Sequence, residues 1–500
     1  MIIFCYWHLI SLCPTGIIEM NKAITIRPGI PGPLLQGGAA MSEKFYAKSP
    51  GNEGYIKNME VLSHHDCDNH YLFQSQLYKT KDGKYYLYGG CFFGYGVEIL
   101  DVTDLANPRH VQYMPVMDPE IYPYMSTPKV QICDDLMIVA NGNCLPFLHG
   151  PAPEHFKPAP GGIHIFSLKD DPEHPKKLSF WSTGDPDNGR GAGVHRFTYN
   201  GGRYVHLAAT ASGFKDYIYR IVDISDPEHP VEAGRWWNPG QFFGNQTEKT
   251  RKKEWNGWQG YNTYPGYVHF PYVGTDDNLA YLSCAGGGFK VLDISDPTFP
   301  QVLGECRMTP PFATKFGGAL CHTFMPVHGT RYAVGMQEGE RQWTYSKNEF
   351  DHFGVHSFCG IEAFDVSDPT DPVMISVFPY PEVPEGFPYK NFNQLGAEYP
   401  TSFGPHNLHE PMTHKPWVED RADRVYDCYF HAGLRVYDIS DPYVPKEIAY
   451  FIPPNPEKLC FDVKMANKPL GTAEDLVVDD RGYIYLNAMH DGVYILKCLV

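Results

Sequence analysis

Short apolar runs alternate along this chain with breaks rich in Gly, Pro, Asn and Asp, a pattern that predicts many short strands joined by tight turns. The clearest block has apolar segments at 194–199, 203–210, 218–224 and 231–236. An Asn-Gly-Gly turn joins the first pair and an Asp-Pro turn the last pair, so the block reads as a four-stranded antiparallel unit.

The Asp-Pro turn recurs. Val222-Asp-Ile-Ser-Asp-Pro-Glu-His-Pro230 has close copies at 292–300, 364–372 and 437–445, a weaker one at 100–108 and a weaker one still at 167–175. Their second prolines fall at 108, 175, 230, 300, 372 and 445, so the repeat is long and stretched by insertions. An apolar run entering Asp-(Ile/Val)-(Ser/Thr)-Asp-Pro predicts a buried strand that stops in an Asx turn, with Pro presetting φ and the carboxylate accepting the turn's own amides.

Six such turns mark six four-stranded units, and segments 475–479, 482–487 and 492–497 begin a seventh that lacks its outer strand. Segment 55–62 can supply that strand, which closes the ring and leaves no open sheet edge. The expected fold is therefore all-β: a seven-bladed β-propeller of four-stranded antiparallel blades, closed by an N-terminal strand, with long loops on one face. The motif resembles that of the LVIVD-repeat β-propeller proteins, over roughly residues 55–500. This resemblance implies a fold far more than an activity.

Composition agrees with many strands and turns: 43% hydrophobic and 14% aromatic residues, with 44 Pro and 48 Gly. Lys and Arg total 41 against 58 Asp and Glu, a net charge of −17 that argues against nucleic acid as a partner. Thirteen scattered cysteines without a Cys-x-x-Cys pair predict free thiols and a cytoplasmic protein. No apolar run reaches the ~18 residues of a membrane helix, so no membrane partner is expected. Residues 1–40 are expected to be a disordered or mis-annotated extension ahead of Met41-Ser-Glu-Lys, with 41–500 as one domain.

Strand direction divides the chemistry between two faces. If each first strand runs from face T to face B, every Asp-Pro turn lies on B, and the long insertions 141–162, 238–266, 307–318, 337–360 and 380–404 all lie on T. Long loops gathered on one face predict a binding or active site there.

Counting from the hairpins places Gln76, Lys129, His195, His269, His322, His406 and Glu474 at the T ends of the innermost strands. Four successive units thus offer histidine, in Gly193-Val-His-Arg-Phe197, Tyr267-Val-His-Phe270, Leu320-Cys-His-Thr-Phe324 and Gly404-Pro-His-Asn-Leu-His-Glu-Pro411. Imidazoles on rigid strands converging on one axis suit a divalent first-row ion, with Mn preferred and Fe or Zn as alternatives. His409 and Glu474 are further candidate ligands. Catalytic candidates are His431 and His490 at second-strand ends, as an acid/base pair, Glu410 and Asp475 as carboxylates, and Lys129 and Arg196 as cations for an anionic oxygen. His64-His65-Asp-Cys-Asp-Asn-His70 is dense in ligand types but lacks finger spacing, and is expected as a T-face loop that contributes to the same pocket.

These residues lead to a metal-dependent hydrolase cleaving a C–C bond in a small cyclic 1,3-dicarbonyl: activated water adds to one carbonyl and the other leaves as an enolate steadied by Lys129 or Arg196. As a whole, propeller plus histidine set is similar to the manganese-dependent cyclohydrolases (dihydrophloroglucinol cyclohydrolases) that open reduced phloroglucinol rings in anaerobic bacteria. An Fe or Cu oxidase or oxygenase, and a non-enzymatic interaction scaffold, are the alternatives. The expected partner is a small-molecule substrate, with a homo-oligomer open.

Overall fold

The inner and middle strands are apolar because both of their faces are covered. In the unit around the opening repeat, strands Tyr204–Ala209 and Ile218–Asp223 are buried almost throughout, while the outer strand Val231–Trp236 alternates exposed and half-buried positions. Together with Val194–Thr198 they form one antiparallel sheet, within a residue or two of the segments expected from sequence.

The computed structural model describes residues 44–49, 52–92, 94–118, 126–142, 161–184, 193–242, 244, 266–276, 278–308, 320–339, 359–392, 403–460 and 470–500. The expectation for residues 1–40, most of the first four insertions and residues 393–402 of the fifth lie outside these. Ser42–Val500 forms one compact unit. Its described residues are strands and turns, with a 3-10 turn at Cys67–Asn69. Among them no helix is long and apolar enough to cross a membrane, and ten cysteines are all free thiols.

Five sheets are separate four-stranded antiparallel units, and a further sheet has ten strands. Within the ten, the quartet from Phe403–Leu408 out to Lys446–Ile452 is strand-paired with the quartet of Ala473–Val478, Tyr483–Ala488, Gly492–Cys498 and Met59–His65 at one residue pair, Phe430 with Ala473. The innermost strands are Leu72–Lys79, Ser126–Cys133, Val194–Thr198, Phe270–Tyr272, Leu320–Pro326, Phe403–Leu408 and Ala473–Val478.

Apolar clusters fill the space between successive sheets: Tyr86, Tyr88 and Ile99 meet Val130 and Val139, and Ile163 and Ile165 meet Phe197 and Leu207. Each such Ile or Leu contributes about 2 kcal/mol by leaving water.

The Asp-Pro turns do what their sequence predicts. Asp223, Asp293, Asp365 and Asp438 each accept the amide two residues on, at 2.8–2.9 Å. They also interlock the sheets, because the outer strand of one sheet receives the turn of the next. Ser179 donates to the Pro227 carbonyl and Ser376 to that of Pro442, each at 2.6 Å. Where the receiving residue is Gly234, the Pro297 carbonyl comes so close that a Cβ would lie 2.0 Å from it. Ser63, on the last quartet's outer strand, donates at 2.6 Å to Leu105 in the first turn, which closes the ring.

The closing strand differs from expectation. It is Met59–His65, paired with Gly492–Cys498, whereas Tyr55 belongs to Asn52–Lys57, which pairs with Lys446–Ile452 in the neighbouring quartet. Asn58 divides the two. It sits in the left-handed region at φ 54°, and its side chain donates to Ile448 at 2.6 Å, so one apolar run serves two quartets.

Candidate functional site

Four of the innermost strands are bulged where they carry candidate residues. Pairing slips between Val194 and Arg196, between Cys321 and Thr323, between Phe403 and Asn407, and between Ala473 and Asp475, so that His195, His322, His406 and Glu474 sit within the irregularities. A bulge interrupts alternation and re-aims a side chain. This is why His195 and Arg196, neighbours in sequence, both join the same cluster. The corresponding irregularity in Leu72–Lys79 holds Phe73, not Gln76. Gln76 lies deeper and accepts from Lys415 at 3.2 Å.

The four histidines form a row. His195 Nε2 lies 2.8 Å from His269 Nε2, and ring centroids are 4.4 Å apart for His195–His269, 4.1 Å for His269–His322 and 4.9 Å for His322–His406. One ring has a fixed tautomer. His269 Nδ1 donates to the His322 carbonyl at 3.1 Å, so Nε2 keeps its lone pair. His406 Nδ1 lies 3.1 Å from the Glu474 carbonyl and 3.0 Å from the Asn407 side-chain amide nitrogen, which only donates. His322 Nδ1 meets the Thr323 hydroxyl at 2.8 Å. Burial, reinforced by one another and by Arg196, holds all four pKa values well below the ordinary value, so the rings are neutral. A neutral imidazole held through Nδ1, as His269 is, presents Nε2 as a metal donor.

Glu338, at the end of the second strand Tyr332–Glu338, completes the tightest group: ligand atoms of His269, His322 and Glu338 lie within 4.8 Å of one another. Sequence reasoning passed over it. The signal was available, since second strands return to face T by the argument that selected His431 and His490. His406 stands at the other end of the row, 3.3 Å from Glu474 Oε1.

The cations take different roles. Arg196, fully buried, pairs with Glu410, lies 3.2 Å from His322 Nδ1 and stacks 4.1 Å over Phe270. Glu410 also accepts from Gln131 at 3.1 Å and Gln74 at 3.5 Å. Lys129 lies over the Phe73 ring at 4.2 Å. Asp475 accepts from the Ser75 amide at 3.1 Å, and burial, with Glu410 nearby, pushes its pKa up to about 8.

Three candidates fall away from the row. His409 has both ring nitrogens engaged by backbone, Nε2 with the Glu419 carbonyl at 2.8 Å and Nδ1 with the Val478 amide at 3.2 Å, so it has no lone pair for a metal. His431 meets Thr472 at 2.9 Å and His490 accepts from the Cys460 amide at 3.3 Å. Burial lowers both to about pH 4, away from the neutral pKa expected of an acid/base pair. The His64–His70 loop does not join the row either: His64 pairs with Asp491 and His70 with Glu98.

The segment that follows Glu410 had no predicted role. It crosses the B end of the ring and touches the inner strands of other sheets in turn. Tyr272 donates to the Pro411 carbonyl, Thr413 to Gly274 at 3.1 Å, and Trp417 to Leu77 at 2.8 Å. Asn200 accepts from the His414 amide at 3.1 Å, and Glu419 donates to Val478 at 2.9 Å. Lys415 is buried at its centre and donates to Gln76 and Gln131; burial lowers its pKa to about 8. The segment is a plug, with the histidine row on the far side of it.

The LVIVD repeat model matches residues 214–237 and 273–308. No curated protein matches the chain, so the resemblance to manganese-dependent cyclohydrolases gains no support there. Among solved structures, the Cps50 (Swd1) β-propeller domain of Myceliophteria thermophila aligns at TM-score 0.45 and 10% identity, over 89% of this chain and 100% of its own. The WD40 repeats of RRP9 align at TM-score 0.46 and 8% identity, over 91% and 99%. A putative 6-phosphogluconolactonase from Bacteroides fragilis aligns at TM-score 0.42 and 10% identity, over 85% and 89%. The chain is thus an all-β protein of four-stranded antiparallel sheets that carries LVIVD repeats.

Proposed function

We propose that the ten-stranded sheet counts as two blades, giving a seven-bladed propeller, and that its histidine row holds a divalent first-row ion. The observation that carries this is the row itself: four buried, neutral imidazoles in succession, of which His269 donates Nδ1–H to a carbonyl and turns a neutral Nε2 toward His195. His269, His322 and Glu338 are the nearest set of donors, with His195 and His406 flanking them.

Such an ion supplies Lewis acidity for a carbonyl oxygen and for water. The surrounding residues support its use in hydrolytic C–C cleavage of a small cyclic 1,3-dicarbonyl. Lys129 is the cation for the enolate oxygen released when the bond breaks. Arg196, already neutralised by Glu410, positions His322 instead. The plug around Lys415 closes the B end, so substrate enters from the T face, where Phe73 and Tyr217 flank the row with flat rings.

The test is ring opening of a cyclic 1,3-diketone, without oxygen, by metal-loaded protein. His322→Ala is expected to lower turnover by more than ~100-fold, beyond the usual effect of losing an outer partner of a metal ligand, with its circular dichroism unchanged. Undiminished ring opening by fully chelated protein sinks the hypothesis.

A further inference from the structure

A second cluster of ligand types lies at the seam of the ring, away from the histidine row. Its centre is Glu98, fully buried on the third strand Gly96–Asp101 of the first sheet. In three other sheets the matching position is basic and pairs with an acid on the outer strand: Arg220 with Glu232, Lys290 with Glu305, and Arg435 with Glu447. Here the signs are reversed. The acid is inside, and the groups facing it are His70, His110 and the thiol of Cys91.

His70 Nδ1 lies 3.0 Å from Glu98 Oε2, and ligand atoms of His70, Cys91 and Glu98 lie within 4.8 Å of one another. His110 Nε2 makes an ion-pair contact at 2.6 Å with the other oxygen, Oε1, without hydrogen-bond geometry, and Asp68, Glu98 and His110 form a second such group. A fully buried carboxylate beside a buried thiol is costly unless a cation binds it. The loop presenting Asp68 and His70 is held in an unfavourable shape, with Cys67, Asp68 and Asn69 all at positive φ.

We infer that His70, Cys91 and Glu98 form a cation site separate from the histidine row, with His110 bracing the second Glu98 oxygen. An imidazole, a thiol and a carboxylate, with a fourth position open to water, suit a tetrahedral zinc ion. Its place suggests its use. His70 follows the closing strand Met59–His65 and precedes the first inner strand, while Glu98 and His110 belong to the first sheet's third and outer strands. Zinc there staples the last quartet to the first sheet at the joint that closes the ring.

The test is zinc content by elemental analysis, together with the thermal midpoint, on the full chain incubated with Zn²⁺ and desalted. His70 is one-third exposed, so His70→Ala is expected to fold, which circular dichroism checks. It is expected to lose one equivalent of zinc and the zinc-dependent rise in midpoint, as is Glu98→Gln. His322→Ala is expected to keep the seam equivalent and its rise in midpoint, losing only zinc held by the histidine row. One equivalent that His70→Ala removes and His322→Ala retains upholds the seam site even if the histidine row binds nothing. Equal zinc in wild type and a folded His70→Ala overturns it.

Discussion

Arg196 has no exposed surface, and its charge is met by Glu410 on one side and by the stacked ring of Phe270 on another. Removing one partner of a buried ion pair leaves the other uncompensated, at a cost of about 3–5 kcal/mol. Glu410→Gln is therefore expected to lower the urea midpoint by far more than a surface substitution would. A shift equivalent to less than about 1 kcal/mol would show that Arg196 reaches water. His406 and His409 show what residue-level reading lacks. They stand in one Pro-bounded word, and a bulge turns the first toward the row while the second anchors the plug. The spacing of the histidines was legible because it follows hairpin register. The bulges that aim them were not, because they insert a residue without changing residue type.

At the scale of the element, the Asp-Pro turn acts twice: it caps its own strand and seats on the preceding sheet. Its capping role was legible, since Asp and Pro have local effects. Its seat was not, because Ser179, Gly234 and Ser376 have meaning only beside a turn some fifty or sixty residues later. Gly234→Ala is expected to cost about 1–3 kcal/mol through overpacking, and Ser179→Ala only about 1 kcal/mol through one lost hydrogen bond. Thermal midpoints check this order; its reversal would mean that the contacts between sheets are loose. The plug was illegible for a related reason. Lys415 and Trp417 look like ordinary loop residues, and only the closed ring shows that they fill its B end.

For the whole molecule, buried histidines set the response to acid. Burial lowers His164 and His206 to about pH 3 and His409 and His431 to about pH 4. In the unfolded chain each titrates near 6.5. Between those values the unfolded state binds more protons than the folded one, so stability falls as the pH falls from about 6.5 toward 4. The thermal midpoint should drop steadily from about pH 7 to about pH 5, and a flat profile would mean that these rings are hydrated. The same ring closure that buries them brings His195, His269, His322 and His406 together from four sheets, and this is the basis of the metal-centre proposal. Anomalous scattering from metal-loaded crystals, recorded at the absorption edge of the bound ion, tests it most directly. The account predicts a peak between His269, His322 and Glu338. No peak there, with His195 and His269 still in direct contact, would contradict it.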